Sequence, residues 1–395
     1  MRKHQQKQIL ELLNTIQEAQ SQGLYADCQD AAGGLIAYIE SIAGAGTQAA
    51  ALLAEHEKLL FRAHNGEVGE KVLRRHLIKI ENCVRHDLKP DKTEMIFIPY
   101  KASMWDSLES IYLAAKDDPD CDAYVIPIPY FEKNPDGTFG DMKYEVAKYP
   151  DYVPITHWQS YDIAEQRPDA IFTHAPYDNG NIVTSVHPDF YCKRLKDFTD
   201  MLVYVPYFVN ADADNINESF IVNAGTAYAD KVIVESEAVR QTYIRTIREY
   251  EKANNMRGVF GNYAEKILAL GSPKIDKVLS TKREDCPLPE EWARLTKSWQ
   301  GSGKQVLLYN TSVSGLLYWN EEYLKKIQQV LDKYKDDEYF RLWWRPHPLF
   351  MSTLASMCPE LLPEYEQVVK EYREQGYGIY DDTPDLHRAI AWSDA

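Results

Sequence analysis

The sequence predicts an α/β protein: two successive sets of strands alternating with helices, preceded by a helical N-terminal region. Three observations lead there. Up to about residue 88 the apolar residues recur at helical spacing. Past Pro90 short apolar runs alternate with helix-length segments. Near residue 280 a charged, proline-containing connection interrupts that alternation before it resumes. The expected division is therefore 1–88, 89–280 and 281–395.

In the first region Ile9, Leu12, Leu13 and Ile16 form one apolar face, and Leu35, Ile36, Ile39 and Ile42 another. Breaks at Gly33-Gly34 and Gly44-Ala45-Gly46 suggest three or four helices. Such a bundle would pack on the next domain or on a second copy, giving a homo-oligomer through these helices. Strands are expected at 94–100, 123–129, 169–174, 201–206, 231–235 and 266–270, with helices at 107–116 and 236–250. After helix 290–299 a second series follows: strand 304–310, helix 321–334, strand 339–344, helix 362–375, strand 377–380 and helix 385–392. Short apolar strands joined by helices imply parallel sheets covered on both faces. The two series thus predict two Rossmann-like domains facing each other, with a ligand in the cleft beyond the carboxyl ends of the strands. Few residues follow Lys304, so the second domain is expected to be incomplete and the chain end premature.

Composition narrows the function classes. A net charge of −16 over 395 residues excludes a broad basic face for nucleic acid. No apolar run reaches the roughly 20 residues of a membrane-spanning helix, and the N-terminus lacks the apolar core of a signal peptide. The six cysteines are scattered, without C-x-x-C pairs, which reads as reduced thiols in a cytoplasmic protein. No metal-ligand cluster is visible, so neither metal nor cofactor is expected.

Candidate chemistry gathers where strands should end. Asn310, Thr311 and Ser312 follow the first strand of the second series, and Arg345-Pro346-His347-Pro348 follows the second. Strand ends on one sheet share an edge, so hydroxyls, a guanidinium and an imidazole would converge there on a phosphate. The prolines deny His347 a regular helix or central strand. The threonine and serine read equally well as capping residues. In the first series His174 ends a strand and is a candidate general base. Lys101 and Ser103 lie between a strand and a helix, a place suited to an anion. This loop lacks glycines, so it is no dinucleotide fingerprint.

The succession Gly271-Ser-Pro-Lys-Ile-Asp276, Val306-Leu-Leu-Tyr-Asn-Thr-Ser312, Trp344-Arg-Pro-His-Pro348 and Asp381-Asp-Thr-Pro-Asp385 resembles the CDP-glycerol glycerophosphotransferase family, which builds teichoic-acid-type polymers. The resemblance implies a GT-B architecture. It also implies transfer of glycerol phosphate from CDP-glycerol, or a related CDP-alditol, to a hydroxyl of a polymer or lipid-linked acceptor, releasing CMP at the inner face of the membrane. By the same resemblance His347 and Arg345 lie beside the donor phosphates, Asn310, Thr311 and Ser312 form a hydroxyl loop, and Lys274 and Asp276 belong to a conserved-type turn. Where the family has a tryptophan-histidine-glycine element, this chain reads Leu202-Val-Tyr-Val-Pro-Tyr-Phe208, without histidine. A non-catalytic binding protein and a nucleotide-sugar glycosyltransferase of the same architecture are the alternatives.

Overall fold

Every strand of the first sheet is organised around β1 (Thr93–Phe97), which pairs in parallel with β2 (Cys121–Val125) on one side and β5 (Ala170–Thr173) on the other. The computed structural model describes residues 1–395 except Asp91, Pro135, Ile182, Ala211 and Pro384, and except the side chains of Ser352 and Ser356. Beyond β5 come β7 (Met201–Tyr204), β8 (Lys231–Val234) and β9 (Ile267–Ala269), giving the order β2-β1-β5-β7-β8-β9. Successive residues of a strand point to opposite faces, and here both faces are core. Ile96, Ile171 and Leu202 join the cluster covered by the helix Glu237–Asn254, through Val239, Tyr243 and Ile247. Phe97, Phe172 and Val203 join the opposite cluster, covered by Tyr112 and Ala115 of the helix Glu109–Asp117. Two-sided burial explains why these strands read as continuous apolar runs.

A small antiparallel sheet, β4-β3-β6, lies beside it: β3 (Tyr130–Lys133), β4 (Phe139–Lys143) and β6 (Thr184–Val186). The sequence reading placed no strand there.

The N-terminal helices are α1 (Lys3–Ser21), α2 (Tyr25–Ala43), α3 (Gln48–His64) and α4 (Glu70–Asp87). They enclose their own core, including Ile9, Leu13, Ile39, Leu53 and Leu77. Burying each such side chain stabilises the bundle by about 2 kcal/mol. Arg2 ties the bundle to the sheet by ion pairs with Asp122 (2.9 Å) and Glu94 (3.3 Å).

Contacts divide the chain into residues 1–273 and 274–395. The second unit holds the parallel sheet β10 (Gln305–Thr311), β11 (Phe340–Pro346) and β12 (Ile379–Tyr380), in that order. Leu342 and Trp344 face a cluster with Ile327 and Leu331 of the helix Glu321–Lys335 and Tyr365 and Tyr372 of the helix Leu362–Gln375. Trp343 faces the other side, with Trp299, Ile379 and Ala389. Gly378 is required at the start of β12, because a Cβ there would collide with the Tyr372 hydroxyl, which donates to the Leu342 carbonyl at 2.8 Å. On the free side of β10 the last residues run parallel to it: Ala395 N donates to Val306 O (3.3 Å) and Leu308 N to Ala395 O (2.8 Å). The α/β expectation, with parallel sheets covered on both faces, holds in each unit.

Candidate functional site

At the carboxyl edge of the second sheet the register sets Asn310 level with Arg345. Side chains alternate along β11, so Arg345 shares the face of Trp343, opposite Trp344. It is only 4% exposed, yet its Nη1 has no hydrogen-bond partner among the described residues. Burial lowers its pKa, against the opposing pull of the Asp381 and Asp385 carboxylates. Native interiors rarely leave a buried charged donor unsatisfied, since that costs more than the pair would have gained.

The neighbouring carboxylate is already engaged. Asp381 is fully buried and accepts from Trp343 Nε1 (3.1 Å), Thr383 N (2.9 Å) and Thr383 Oγ1 (2.6 Å). Thr383 Oγ1 in turn accepts from Arg388 Nη2 at 2.7 Å. The Arg388 guanidinium lies over the Trp292 ring at 5.1 Å, and its buried Nε has no partner among the described residues. Sequence reasoning missed Arg388 and Trp292. The available signal was Arg388's position in the first turn of the helix Leu386–Trp392, whose cap Asp385 accepts from Arg388 N at 3.0 Å.

His347 is exposed and held through its backbone: its N donates to Thr311 O (2.9 Å) and its O accepts from Phe350 N (2.8 Å). Its Nδ1 accepts from Leu349 N at 3.1 Å, which assigns the proton of the neutral ring to Nε2. The surrounding protein and the Arg345 charge lower its pKa. A neutral ring of this tautomer offers an N–H donor, and the only nitrogen that could act as a base is already accepting.

The three residues at the carboxyl end of β10 separate in role. Asn310 is exposed. Thr311 is 2% exposed and its hydroxyl accepts from Trp344 Nε1 at 3.2 Å, a tie within the fold. Ser312 caps the short helix Val313–Trp319, its Oγ accepting from Gly315 N at 3.0 Å, while its N donates to Tyr323 Oη at 3.0 Å. Lys274, partly buried, and Asp276, exposed, stand on the helix Pro273–Ser280, which follows β9 of the first sheet.

In the first unit the strand order reverses between β1 and β5, a place where open α/β sheets form a crevice. His174 ends β5 there but is fully buried. Its Nε2 accepts from Tyr100 N (3.1 Å), and its Nδ1 lies 2.9 Å from Ser107 Oγ and 3.2 Å from Met104 O. Both nitrogens are in contact with partners, which ties the ring to the loop after β1. Lys101 is partly buried, with Nζ over the Tyr130 ring at 5.1 Å and the Tyr100 ring at 5.8 Å. Ser103 is exposed within the 3-10 turn Ala102–Ser107, whose first N–H donates to Glu145 Oε2 at 3.0 Å. Among the described residues no group of three or more His, Cys, Asp or Glu is placed to hold a metal. Among them, too, no helix is long and apolar enough to cross a membrane.

No family model matches the chain, and no curated protein does. Solved structures do. One is a putative UDP-N-acetylglucosamine 2-epimerase from Listeria monocytogenes, with 13% identity, 76% of this chain and 73% of that chain covered, and a TM-score of 0.45. The UDP-GlcNAc 2-epimerase from Methanocaldococcus jannaschii in complex with UDP-GlcNAc and UDP has 11% identity, 75% coverage of each chain and a TM-score of 0.40. That from Neisseria meningitidis bound to UDP-GlcNAc has 8% identity, coverage of 76% and 74%, and a TM-score of 0.38. These similarities are too distant to transfer an activity. The expected kinship is corrected all the same: no family model and no curated protein supports the CDP-glycerol glycerophosphotransferases. The CDP-glycerol or CDP-alditol donor, the polymer or lipid-linked acceptor and the teichoic-acid role fall with that kinship.

Proposed function

We propose that the second unit holds the phosphates of a nucleotide-linked sugar, and that the chain is an enzyme acting on that sugar. The observation that carries this reading is Arg345, a guanidinium buried to 4% exposure with an orphaned Nη1 at the carboxyl edge of a parallel sheet. An anion there gains a charge-assisted hydrogen bond and relieves an unpaired buried charge at the same time. Arg388, which also has an orphaned donor, the exposed Asn310 and the Nε2–H of His347 would complete a shell of donors. Fixed donors of this kind stabilise charge developing on a departing diphosphate. A binding protein without turnover is the second reading, favoured by His174, whose ring nitrogens are both engaged.

The ligands named for the similar structures, UDP and UDP-GlcNAc, are the first probes to use. Calorimetry on the full chain should show binding of both, weakened about tenfold or more in Arg345→Met. Binding unchanged by that substitution would remove the phosphate assignment. Release of UDP, or conversion of the sugar, separates the enzyme from the binder.

A further inference from the structure

Two helices of the N-terminal bundle present opposite charges to solvent. In α4 the residues Lys71, Arg75, Ile78, Asn82 and Arg85 are all exposed and follow one another at alternating steps of four and three, with the exposed Lys79 and His86 beside them. That spacing keeps side chains on one face of a helix. No acid lies on this stripe: Glu81 is half-buried, and Asp87 accepts from the buried Cys83 thiol at 3.1 Å. None of Lys71, Arg75, Lys79 and Arg85 has an ion-pair partner among the described residues.

The helix α2 is the counterpart, for it contains neither Lys nor Arg. Its exposed stripe runs Asp27, Asp30, Gly34, Ala37 and Ser41, at alternating steps of three and four, with the exposed Glu40 alongside. The surface over Gly34 is open, since a Cβ there would meet nothing within 4 Å. Small residues on a helix face let a second helix lie close. Each of α1 and α3 packs against both α2 and α4, so the two stripes lie across the bundle from one another and cannot neutralise each other within one chain. Residues 1–88 are nearly balanced, with ten Lys and Arg against eleven Asp and Glu, so the net charge of −16 lies almost wholly elsewhere and does not oppose contact between bundles.

The spacings match as well as the signs. Arg75 and Arg85 are ten residues apart, as are Asp30 and Glu40, which is about 15 Å along each helix. Pairing the two sets, with the helices parallel or antiparallel, puts Ile78 over the stretch from Gly33 to Ala37. Ile78 is 46% exposed in the single chain, and there it would meet glycine and alanine.

We propose that α4 of one copy docks on α2 of a second copy, Arg75 and Arg85 against Asp30 and Glu40. The contact joins two different faces, so it is head-to-tail and leaves a free stripe at each end of a pair. One helix laid on another buries little area and exposed pairs contribute little each, which makes the association weak and sensitive to salt. It uses no residue of the nucleotide reading.

The test is sedimentation of the full chain over a concentration series, at about 50 mM and about 500 mM salt. The average mass should climb with concentration at low salt, without levelling off at a dimer, and stay monomeric at high salt. Arg75→Glu with Arg85→Glu should weaken association about tenfold or more, and so should Asp30→Lys with Glu40→Lys. Mixing the two double variants should restore it, because the reversed α4 of one then faces the reversed α2 of the other. Arg75→Gln with Arg85→Gln should weaken it about threefold, which decides the matter should a reversed variant fail to fold. A monomer at every concentration at low salt, association indifferent to these substitutions, or a mixture no better than either variant alone overturns the proposal. Monomers that bind anionic lipid vesicles without self-association would give the α4 stripe to a membrane surface and overturn it too.

Discussion

At the carboxyl edge of the first sheet a histidine is buried with both ring nitrogens in contact with partners; at the same edge of the second an arginine is buried with a donor left over. Both are polar groups where open α/β sheets place ligands, and sequence position alone does not distinguish them. The difference lies in bookkeeping of bonds. His174 is completed by Tyr100 N and by the Ser107 and Met104 oxygens, so it holds the loop after β1 in place. Arg345 lacks a partner for Nη1, while the nearby Asp381 carboxylate accepts from Trp343 and Thr383. A completed buried group stabilises the fold, whereas an incomplete one costs stability that a ligand can return.

The largest effect should come from breaking the completed group. His174→Ala orphans Tyr100 N and opens a cavity, at a cost of about 3–4 kcal/mol in urea denaturation. A loss under 1 kcal/mol would mean that His174 is not the tie described. Almost as large is the pH dependence of a half-completed case, His56 in α3. It is fully buried, with Nε2 3.1 Å from Gln20 Oε1 and Nδ1 without a partner among the described residues. Burial, and then the neighbouring His76, lower its pKa from 6.5 to about 4. The unfolded chain binds a proton that the folded chain refuses between those values, so stability rises with pH across that window, by about 3 kcal/mol. Denaturation at pH 4.5 and 7 should show this slope, flattened in His56→Leu.

Arg345→Met sharpens the comparison from the other side. It should cost UDP affinity about tenfold or more, yet change the stability of the ligand-free protein by under about 2 kcal/mol, since the cost of an orphaned Nη1 is removed together with the attraction to Asp381. Destabilisation by several kcal/mol would mean that Arg345 belongs with His174. The smallest effect is expected at Ser312→Ala, about 1 kcal/mol of lost capping with UDP binding retained. A selective loss of UDP binding would give Ser312 a contact role beyond its cap.

The α/β architecture was legible because burial on both faces writes strands as uninterrupted apolar runs, as in β7 and β8. The sheet β4-β3-β6 was not, because its residues alternate with charge and one strand, β4, is mostly exposed. Of the candidate residues, Arg345 and His347 could be singled out because prolines mark the strand end. The role of His174 could not be read, since its partner Tyr100 N lies 74 residues away and only the pairing of β1 with β5 brings the two together. The tie at Thr311 could not be read for the same reason: the indole that donates to its hydroxyl comes from β11. Arg388 went unnoticed because its meaning depends on Thr383, Asp381 and Trp292 closing around it.

The parallel run of residues 394–395 along β10 has a consequence for colloidal behaviour. A sheet with bare edges templates the pairing of other chains. Here β12 is two residues long, which offers little to copy, and the start of β10 is covered by Asp394 and Ala395. The Asp394 carboxylate takes the Val306 N–H at 2.8 Å and is itself held by Arg283 at 2.7 Å. Asp394, Ala395 and the Arg283 guanidinium thus occupy backbone groups at the start of β10 that another chain could otherwise copy.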